Sequence, residues 1–489
     1  MHQALLVPEV LLEIFAYVNT IPSTQTTSTQ KSLAALARTC KIFHEPAMDL
    51  LWTEIHGLEP LLGCVTRLHP LIYRRGTRWD EPWAKGVEPL SAHEARQFLR
   101  HSSRIRTLNI KRTHPQLISV VPAEACVFPR LRSLSLSIAY LNLFLPQTLH
   151  QCCLLTVDEG LQSFVTHCIT LEHLYISTDT LYCDNISQLS LLSDRIRWCT
   201  RLVTLACPML DWATWKHLSC LPTLLNLEVD QGYDSRPSLS KQDIVNLSPF
   251  LNITTLSFRR LYGVTDIITV MQHSQFPSLK EFEFEASHLS LEEAEQLFHA
   301  LSHCKAYRTL QKITICSFDD KFARPYNDEP LTPIPHFLCF TQLRTLQLMF
   351  RYSCIYLDND MLLQAMSSWP HIRTLEINDS ALSSKVTLHG LFTALGLCPQ
   401  LHTLRVSINI LTIDVDPDAE PIQHTSLRTL QLLNTPESQI ADAETLARII
   451  SAWLPCVDHI YGPGLSWDEV NMRLGSLRAA AAPYVVRAS

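Results

Sequence analysis

The chain has 489 residues and a net charge of -7, and 46% of its residues are hydrophobic, so it has enough apolar side chains to form extensive cores. Its length exceeds that of one ordinary compact domain, which leaves several domains or one elongated repeat array. The charge offers no basic footprint for nucleic acid or anionic lipid, and no apolar run reaches the ~20 residues of a membrane span, so we expect neither nucleic acid nor a membrane as a partner.

Three helical segments are predicted within residues 1–56. In the first, proline at position 8 suits the first turn of a helix. The apolar residues that share one face of this helix are Leu11, Ile14, Phe15 and Val18. A polar, threonine-rich break from Asn19 to Gln30 precedes a second helix over Lys31–His44, and a third segment ends in Leu50-Leu51-Trp52. As helices alone, the three segments fit a cap that shields the first repeat from water.

Residues 57–88 contain Pro, Gly and Trp83 without clear periodicity and are predicted to be a connector. Ser91 followed three residues later by Glu94 is the pattern of a capping box, in which each residue bonds the backbone of the other at a helix start. The first repeat helix is therefore expected to start here, within a repeat region that begins at residue 89.

An apolar triad with the spacing i, i+3, i+5 recurs twelve times in the rest of the chain. Its first residues are Ile105, Leu131, Leu171, Leu202, Leu224, Ile253, Leu279, Leu310, Leu343, Ile372, Leu401 and Leu427. Three residues before most triads, at what we call the flanking position, stands a large apolar residue or cysteine. The flanking residues are Phe128, Cys168, Cys199, Leu221, Phe250, Phe276, Tyr307, Phe340, Trp369 and Cys398. Because the flanking residues keep the same distance from their triads, the triads form a true repeat and do not recur by chance in an apolar sequence.

Each repeat is predicted to contain a helix, a break and a strand with alternating inward and outward side chains. Stacked units form a parallel sheet on the concave side with helices outside, which is an α/β solenoid of about twelve repeats over residues 89–465. Residues 466–489 form a C-terminal cap or tail. Surface loops are expected at insertions over residues 137–165, 230–243 and 316–338.

The sixteen cysteines contain no Cys-x-x-Cys pair, so we predict reduced thiols that pack as small apolar residues, and no metal site. No phosphate-binding glycine loop, zinc-protease helix or serine-nucleophile motif occurs, so neither a cofactor nor a catalytic residue is predicted and the chain is not expected to be an enzyme. The N-terminus lacks the pattern of a secretory signal, which predicts a cytoplasmic and/or nuclear protein.

The segments Leu343–Leu348, Leu401–Val406 and Leu427–Leu432 resemble the strand motif Leu-x-x-Leu-x-Leu of leucine-rich repeats. Thr435 and Ser380 stand where that family has a regular asparagine, so uneven curvature is expected. The N-terminal segments resemble an F-box in four separated parts, with a longer break between the first two helices and valine at position 7 as departures. These parts are Leu6–Glu9 with Leu12, Ile14 and Phe15, then Leu33, then Ala37–Lys41 with Phe43, and finally Leu50–Trp52.

The arrangement resembles F-box proteins with leucine-rich repeats, of the fungal type. The resemblance implies a non-catalytic receptor subunit of a Skp-cullin-F-box (SCF) ubiquitin ligase, with a Skp-type adaptor, a cullin and an unknown protein substrate as partners. It implies adaptor contacts at Leu6, Pro8, Leu11, Leu12, Ile14 and Phe15. Outward strand positions that could bind the substrate are Tyr175, Glu228, Glu283, Gln347, Glu376, Arg405 and Gln431, together with Ser135 and Ser257. The alternative is a repeat scaffold outside the ubiquitin system, whose N-terminal helices serve only as a cap.

Overall fold

The computed structural model describes residues 7, 10–11, 13–15, 17, 26–73, 88–110, 127–136, 146, 148–155, 170–177, 186–231, 247–318, 330–350, 354–378, 384–416, 423–433, 440, 442–462 and 466–485. The chain divides into two compact units, Met1–Cys207 and Pro208–Ser489. Their boundary falls inside the predicted repeat region and matches none of the boundaries expected from the sequence.

In the first unit, parallel strands pair in chain order, from β1 to β6. The strands are β1 (Glu54–His56), β2 (Thr107–Ile110), β3 (Ser133–Leu136), β4 (Gln151–Leu154), β5 (His173–Ile176) and β6 (Thr204–Cys207). The described helices are α1 (Thr26–Thr39), α2 (Lys41–Thr53), α3 (Glu59–Leu62), α4 (His69–Ile72), α5 (Ala92–Leu99) and α6 (Ile186–Ile196), with a 3-10 turn at Ser102–Arg104.

The second unit repeats this arrangement, with parallel strands in the order β7 to β15. Its strands are β7 (Asn226–Asp230), β8 (Thr255–Leu261), β9 (Glu281–Ala286), β10 (Lys312–Ser317), β11 (Thr345–Phe350), β12 (Thr374–Asn378), β13 (Thr403–Ser407), β14 (Thr429–Leu433) and β15 (Ile460–Tyr461). Its described helices are α7 (Trp212–Ser219), α8 (Thr265–His273), α9 (Leu291–Ser302), α10 (Pro333–Phe337), α11 (Asn359–Ser368), α12 (Leu388–Leu395), α13 (Ala443–Trp453) and α14 (Ser466–Val485).

All twelve predicted triads lead into strands, and each strand begins two residues after the first residue of its triad. The triad residues are buried, while most of the residues between them are partly or fully exposed, as in the pattern of β11. The buried side chains therefore form a core between the parallel strands and the helices that connect them. The α/β fold of leucine-rich-repeat type, with helices at its N-terminus, is confirmed.

Three strands lie outside the twelve triads. β1 belongs to the segment before the predicted repeat region, and β15 follows Val457, after the last of the twelve triads. β4 lies inside the insertion expected at residues 137–165, so that expectation was wrong for this part of it. Leu149, Cys152 and Leu154 have the triad spacing and are all buried, but the cysteine in the middle conceals the pattern in the sequence.

The connector predicted over residues 57–88 also contains regular structure. It follows β1 directly and includes α3 and α4, so the sheet starts upstream of residue 89. Gly57 has a φ of 83°, a left-handed conformation that glycine adopts without strain, and its N–H donates to the Asn109 carbonyl oxygen at 2.8 Å. Similarly, α10 and the end of β10 lie within the insertion predicted at residues 316–338. Most of the insertion predicted at residues 230–243 lies outside the described residues.

The capping box at the start of α5 is present as predicted. The Ser91 hydroxyl accepts from the N–H of Glu94, and the Glu94 carboxylate accepts from the N–H of Ser91 at 2.9 Å. Arg67 donates to the same carboxylate at 2.8 Å and ties the preceding segment to this helix. The Ser91 hydroxyl also donates to this carboxylate at 2.9 Å. The three bonds that the carboxylate accepts lower the pKa of Glu94 to about 2, with the Arg67 bond as the largest cause.

At the flanking position, side chains of successive repeats contact one another along the core. The rings of Phe250 and Phe276 stack with their centroids 5.0 Å apart, and Trp369 donates its ring N–H to the Phe337 carbonyl oxygen at 3.1 Å. Tyr307 departs from the expectation, because it is 49% exposed while Cys304 is fully buried in its repeat. Lys305 lies between the two residues with a φ of 66°, and its left-handed turn shifts the buried residue upstream.

Hydroxyl and amide side chains join the turns of neighbouring repeats. Thr148 donates to the Leu131 carbonyl oxygen at 2.9 Å, and Asn252 donates to that of Pro222 at 2.7 Å. Side chains that precede the strands thus form hydrogen bonds with backbone carbonyl groups of the preceding repeat. Thr435 and Ser380, where the family asparagine is missing, lie outside the described residues, so the expectation of uneven curvature stays a prediction.

The N-terminal helices differ in their boundaries from the prediction. α1 begins at Thr26, inside the expected polar break, and the helix predicted as continuous over residues 31–44 is interrupted at Cys40. The backbone of Cys40 is extended, with a φ of -156° and a ψ of 161°. Because this residue reverses the chain, α1 and α2 pack against each other and close a small core.

Candidate functional site

The N-terminal helical module, formed by the helical segment around residues 10–17 with α1 and α2, has its own apolar core. Leu11 and Phe15 are each 2% exposed and pack with Ala37 and Ala47. The ring of Phe15 meets that of Phe43 edge-on at 5.6 Å. Two of the six residues expected to contact an adaptor, Leu11 and Phe15, are therefore interior residues of the module.

The opposite face of the same helical segment carries apolar side chains that reach solvent. Val7, Val10, Ile14 and Tyr17 are 43%, 37%, 39% and 71% exposed, and we call these four residues the exposed stripe. Their spacing of three, four and three residues places them along one side of a helix. Only Ile14 was predicted as a contact residue. The other three were missed because periodicity identifies a shared face but does not say which face is covered. Leu6, Pro8 and Leu12 lie outside the described residues.

A second surface of the module contacts the start of the repeats. Trp52 of α2 stacks on His101 with centroids 4.5 Å apart and ring planes within 5°. Arg104 forms ion pairs with Glu45 and Asp49 of α2, and its hydrogen bond and positive charge lower the pKa of the Glu45 carboxyl. Burial, reinforced by Arg100 and Arg104, lowers the pKa of His101 to about 4. The module is thus attached to the first repeat by both stacking and charge.

The predicted substrate-binding residues align across the strands. In the first unit, the pairing register joins Ser135, Cys153, Tyr175 and Ala206 in one row. In the second unit, a row that we call the outer row runs through Glu228, Ser257, Glu283, Thr314, Gln347, Glu376, Arg405, Gln431 and Tyr461. Thr314 and Tyr461 were not predicted, although Thr314 stands between the second and third residues of its triad, as the predicted members of the row do in theirs.

Ionic contacts lie along one end of the outer row. Arg259 lies between Glu228 and Glu283, at 3.4 and 3.1 Å from their carboxylate oxygens. Ser257 donates to Glu283 at 3.2 Å and is only 4% exposed. We expected an open contact position at Ser257, and the structure shows a buried one. Farther along, Thr314 donates to Gln347 at 3.0 Å. The row is therefore an ordered polar surface with mixed charge.

A bulge at Arg260 gives β8 an additional charged contact. Arg260 has a φ of 50°, and the pairing of β8 with β9 shifts between Phe258 and Leu261. The guanidinium donates to both carboxylate oxygens of Asp230, from Nε to Oδ1 at 2.8 Å and from Nη2 to Oδ2. A bidentate pair of this kind holds the bulged residue in its left-handed conformation.

Cysteine, metal and membrane features were also considered within the described ranges. The cysteines there are free, and Cys199, Cys304 and Cys398 are fully buried, with burial raising the pKa of Cys199 and Cys304 to about 12. Across the described residues, no group of three His, Cys, Asp or Glu side chains could hold a metal ion. Nor is any helix in these ranges both long and apolar enough to span a membrane.

No protein-family model and no curated protein matches the chain. Among solved structures, an internalin from Listeria monocytogenes is similar with 14% sequence identity and a TM-score of 0.35, over 64% of this chain and 84% of the internalin. The Rad7 and Elc1 complex from yeast gives 13% identity and a TM-score of 0.34, over 93% of this chain and 87% of the matched chain. Both likenesses are too weak to carry an argument on function.

Proposed function

We propose that this chain is a non-catalytic substrate receptor of an SCF-type ubiquitin ligase. The N-terminal module docks a Skp-type adaptor, which joins a cullin, and the repeat sheet binds a protein substrate that other subunits modify. The F-box resemblance of residues 6–52 suggests the adaptor, and the observation that carries the proposal is the exposed stripe.

The stripe supports docking because the module does not need it for its own core. Leu11 and Phe15 already fill the interior, whereas Val10 and Ile14 leave apolar surface in water on the other side. Contiguous apolar residues on a surface are typical of a protein interface, and burying them on association is favourable. We therefore assign adaptor contact to Val7, Val10, Ile14 and Tyr17, with Leu6, Pro8 and Leu12 as further proposed contacts.

The test is co-purification of the full chain with a Skp-type adaptor. The double substitution V10D and I14D should reduce adaptor retention to background, because each carboxylate would lose its hydration at the interface. Leu225→Asp is a matched control, since Leu225 is 39% exposed like Ile14 but lies in the second unit. The control should retain the adaptor. Equal retention by wild type and double variant would refute docking through the stripe.

For the substrate we propose the outer row, at Glu228, Glu283, Gln347, Glu376, Arg405 and Gln431, and Tyr175 in the first unit. Their side chains are partly exposed and ordered by the pairing register, which suits recognition of a protein by combined polar contacts. The test compares the proteins that are ubiquitinated in cells expressing the wild-type chain with those ubiquitinated in cells expressing the Glu376→Lys variant. A subset should lose modification while adaptor retention is unchanged. An identical set of modified proteins would remove the row from the proposal.

A repeat scaffold with an N-terminal cap remains the second candidate, because one specific contact favours it. Trp52 and Arg104 attach the module to the first repeat, as a cap would be attached. If the module is only a cap, Trp52→Ala should lower the unfolding temperature and the wild-type chain should not retain the adaptor above background. If it docks an adaptor, the wild-type chain should retain it, and the V10D and I14D double substitution should abolish retention without lowering the unfolding temperature, since the stripe lies on the exposed side.

A further inference from the structure

A small pocket in the first unit is lined by three arginines. Its volume is about 270 Å³, and its lining residues are Arg106, Arg130, Arg132 and Thr148. The volume lies just below the roughly 300 Å³ at which pockets for drug-sized ligands begin. The pocket is separate from the exposed stripe and from the row that contains Tyr175, so no proposal above accounts for it.

The repeat itself brings two of these arginines together. Arg106 and Arg132 both directly follow the first residue of a triad, and the N–H of Arg132 donates to the Arg106 carbonyl oxygen at 2.8 Å. Neighbouring parallel strands lie ~4.8 Å apart, so the two guanidinium stems start side by side. Two like charges in this position repel each other and weaken the pairing unless something of opposite sign lies between them.

The third arginine is placed by the turn before β3. Arg130 follows Pro129 in that turn, and the Thr148 hydroxyl donates to the Leu131 carbonyl oxygen at 2.9 Å, with the Pro129 carbonyl oxygen 3.3 Å away. Thr148 thus fixes the turn and positions Arg130, and its proton is already used. Of the described lining residues, the three arginines are those whose guanidinium groups can donate to a ligand.

The electrostatic setting of these arginines differs from that of several paired arginines in the unit. Arg67 pairs with Glu94, Arg104 pairs with Glu45 and Asp49, and Arg201 pairs with Glu172. Arg106, Arg130 and Arg132 are exposed, and within the described ranges none of them has an acidic partner. Three positive charges without an acidic partner among the described residues therefore face one concave site, in a chain whose net charge is -7.

We propose that this pocket binds the phosphate group of a small soluble phosphate ester. Guanidinium groups present paired N–H donors that match phosphate oxygens, and three of them neutralise a dianion. Among the described residues that line the pocket, none has an aromatic ring to stack on a base, which disfavours a nucleotide. None of these described residues has a large apolar side chain that could enter lipid, which disfavours a membrane headgroup. This inference does not depend on the proposed role in ubiquitin ligation.

The test is titration of the full-length chain with inorganic phosphate and with glycerol phosphate, followed by calorimetry at low salt. Wild type should bind both saturably, and rising sodium chloride should weaken binding. Arg132→Gln should weaken it roughly tenfold or more, because a charge-assisted hydrogen bond is lost. Lys280→Gln is the matched control, since Lys280 occupies the equivalent position after Leu279 in the second unit, and it should bind as wild type does.

Arg130→Gln is a second variant, in case Arg132→Gln disturbs folding. Arg130 lies in a turn and outside the strand pairing, so its substitution should not affect the sheet. Circular dichroism of each variant should match wild type. Saturable binding lost in either folded arginine variant supports the site. Absence of phosphate binding by wild type would overturn the proposal, as would binding that both arginine variants retain. So would binding confined to phosphatidylcholine vesicles that contain phosphoinositide, because the site would then be part of a membrane surface.

Discussion

At the residue scale, the flanking position shows how one side chain connects two repeats. Phe276 is fully buried, its ring stacks on that of Phe250, and its N–H donates to the Cys304 carbonyl oxygen at 2.8 Å. Removing such a ring leaves a cavity that the neighbouring repeats cannot close without moving their strands.

We predict that Phe276→Ala lowers the free energy of unfolding of the second unit by about 3–5 kcal/mol. Tyr307→Ala alters the flanking position of the next repeat, where the ring is 49% exposed, and should cost less than about 1 kcal/mol. Urea unfolding monitored by circular dichroism measures both. Equal losses in the two variants would contradict the assignment of Cys304 as the buried residue of that repeat.

His101 makes stability depend on pH. Its folded-state pKa of about 4 lies below the ordinary value of 6.5, so the unfolded chain takes up this proton first as pH falls. The contribution of His101 is therefore fully present above pH 6.5 and is lost between pH 6.5 and pH 4. His101→Phe keeps a ring against Trp52 but cannot titrate.

As pH is lowered through that window, the unfolding temperature of wild type should fall by more than that of His101→Phe. Other titrating groups act in both proteins and cancel in the difference. A difference that stays constant with pH would show that Trp52 and His101 do not pack as described.

At the scale of elements, local signals predicted some features and long-range packing decided others. Ser91 and Glu94 predicted a helix start correctly because a capping box needs only four consecutive residues. β4 was missed because cysteine is a weak apolar signal, and the interruption at Cys40 was missed because the residues on both sides favour helix. Extended backbone at Cys40 is favoured by the packing of α2 on α1, which periodicity does not report.

Ser91→Ala should destabilise the first unit by about 1 kcal/mol, because it removes the side-chain acceptor for the Glu94 N–H. Ser103→Ala is the control, since Ser103 is exposed in the following 3-10 turn. Thermal unfolding of both variants measures the cost of the cap alone. If the control loses as much stability as Ser91→Ala, the capping box does not stabilise α5.

At the scale of the whole molecule, the sequence predicted the row but not the exposed stripe. A strand has a period of two, so the register of the triads decides which residues face outward together, and Glu283, Gln347 and Glu376 align as expected. On the first helical segment, four apolar residues were assigned to one face, yet Leu11 and Phe15 turn inward while Ile14 turns outward. Which side is covered depends on α1 and α2, and this could not be read from one helix. The division into two units has no sequence signal that we recognise.

Hydrogen–deuterium exchange of the full chain, with and without a purified Skp-type adaptor, tests the central claim most directly. Docking through the exposed stripe predicts slower exchange in peptides that cover residues 7–17, with no change at Trp52 and His101 or along the outer row. The V10D and I14D double variant should lose this protection, and Leu225→Asp should keep it. Protection confined to the repeats, or no protection in any peptide, would contradict the account of the module as an adaptor-binding F-box.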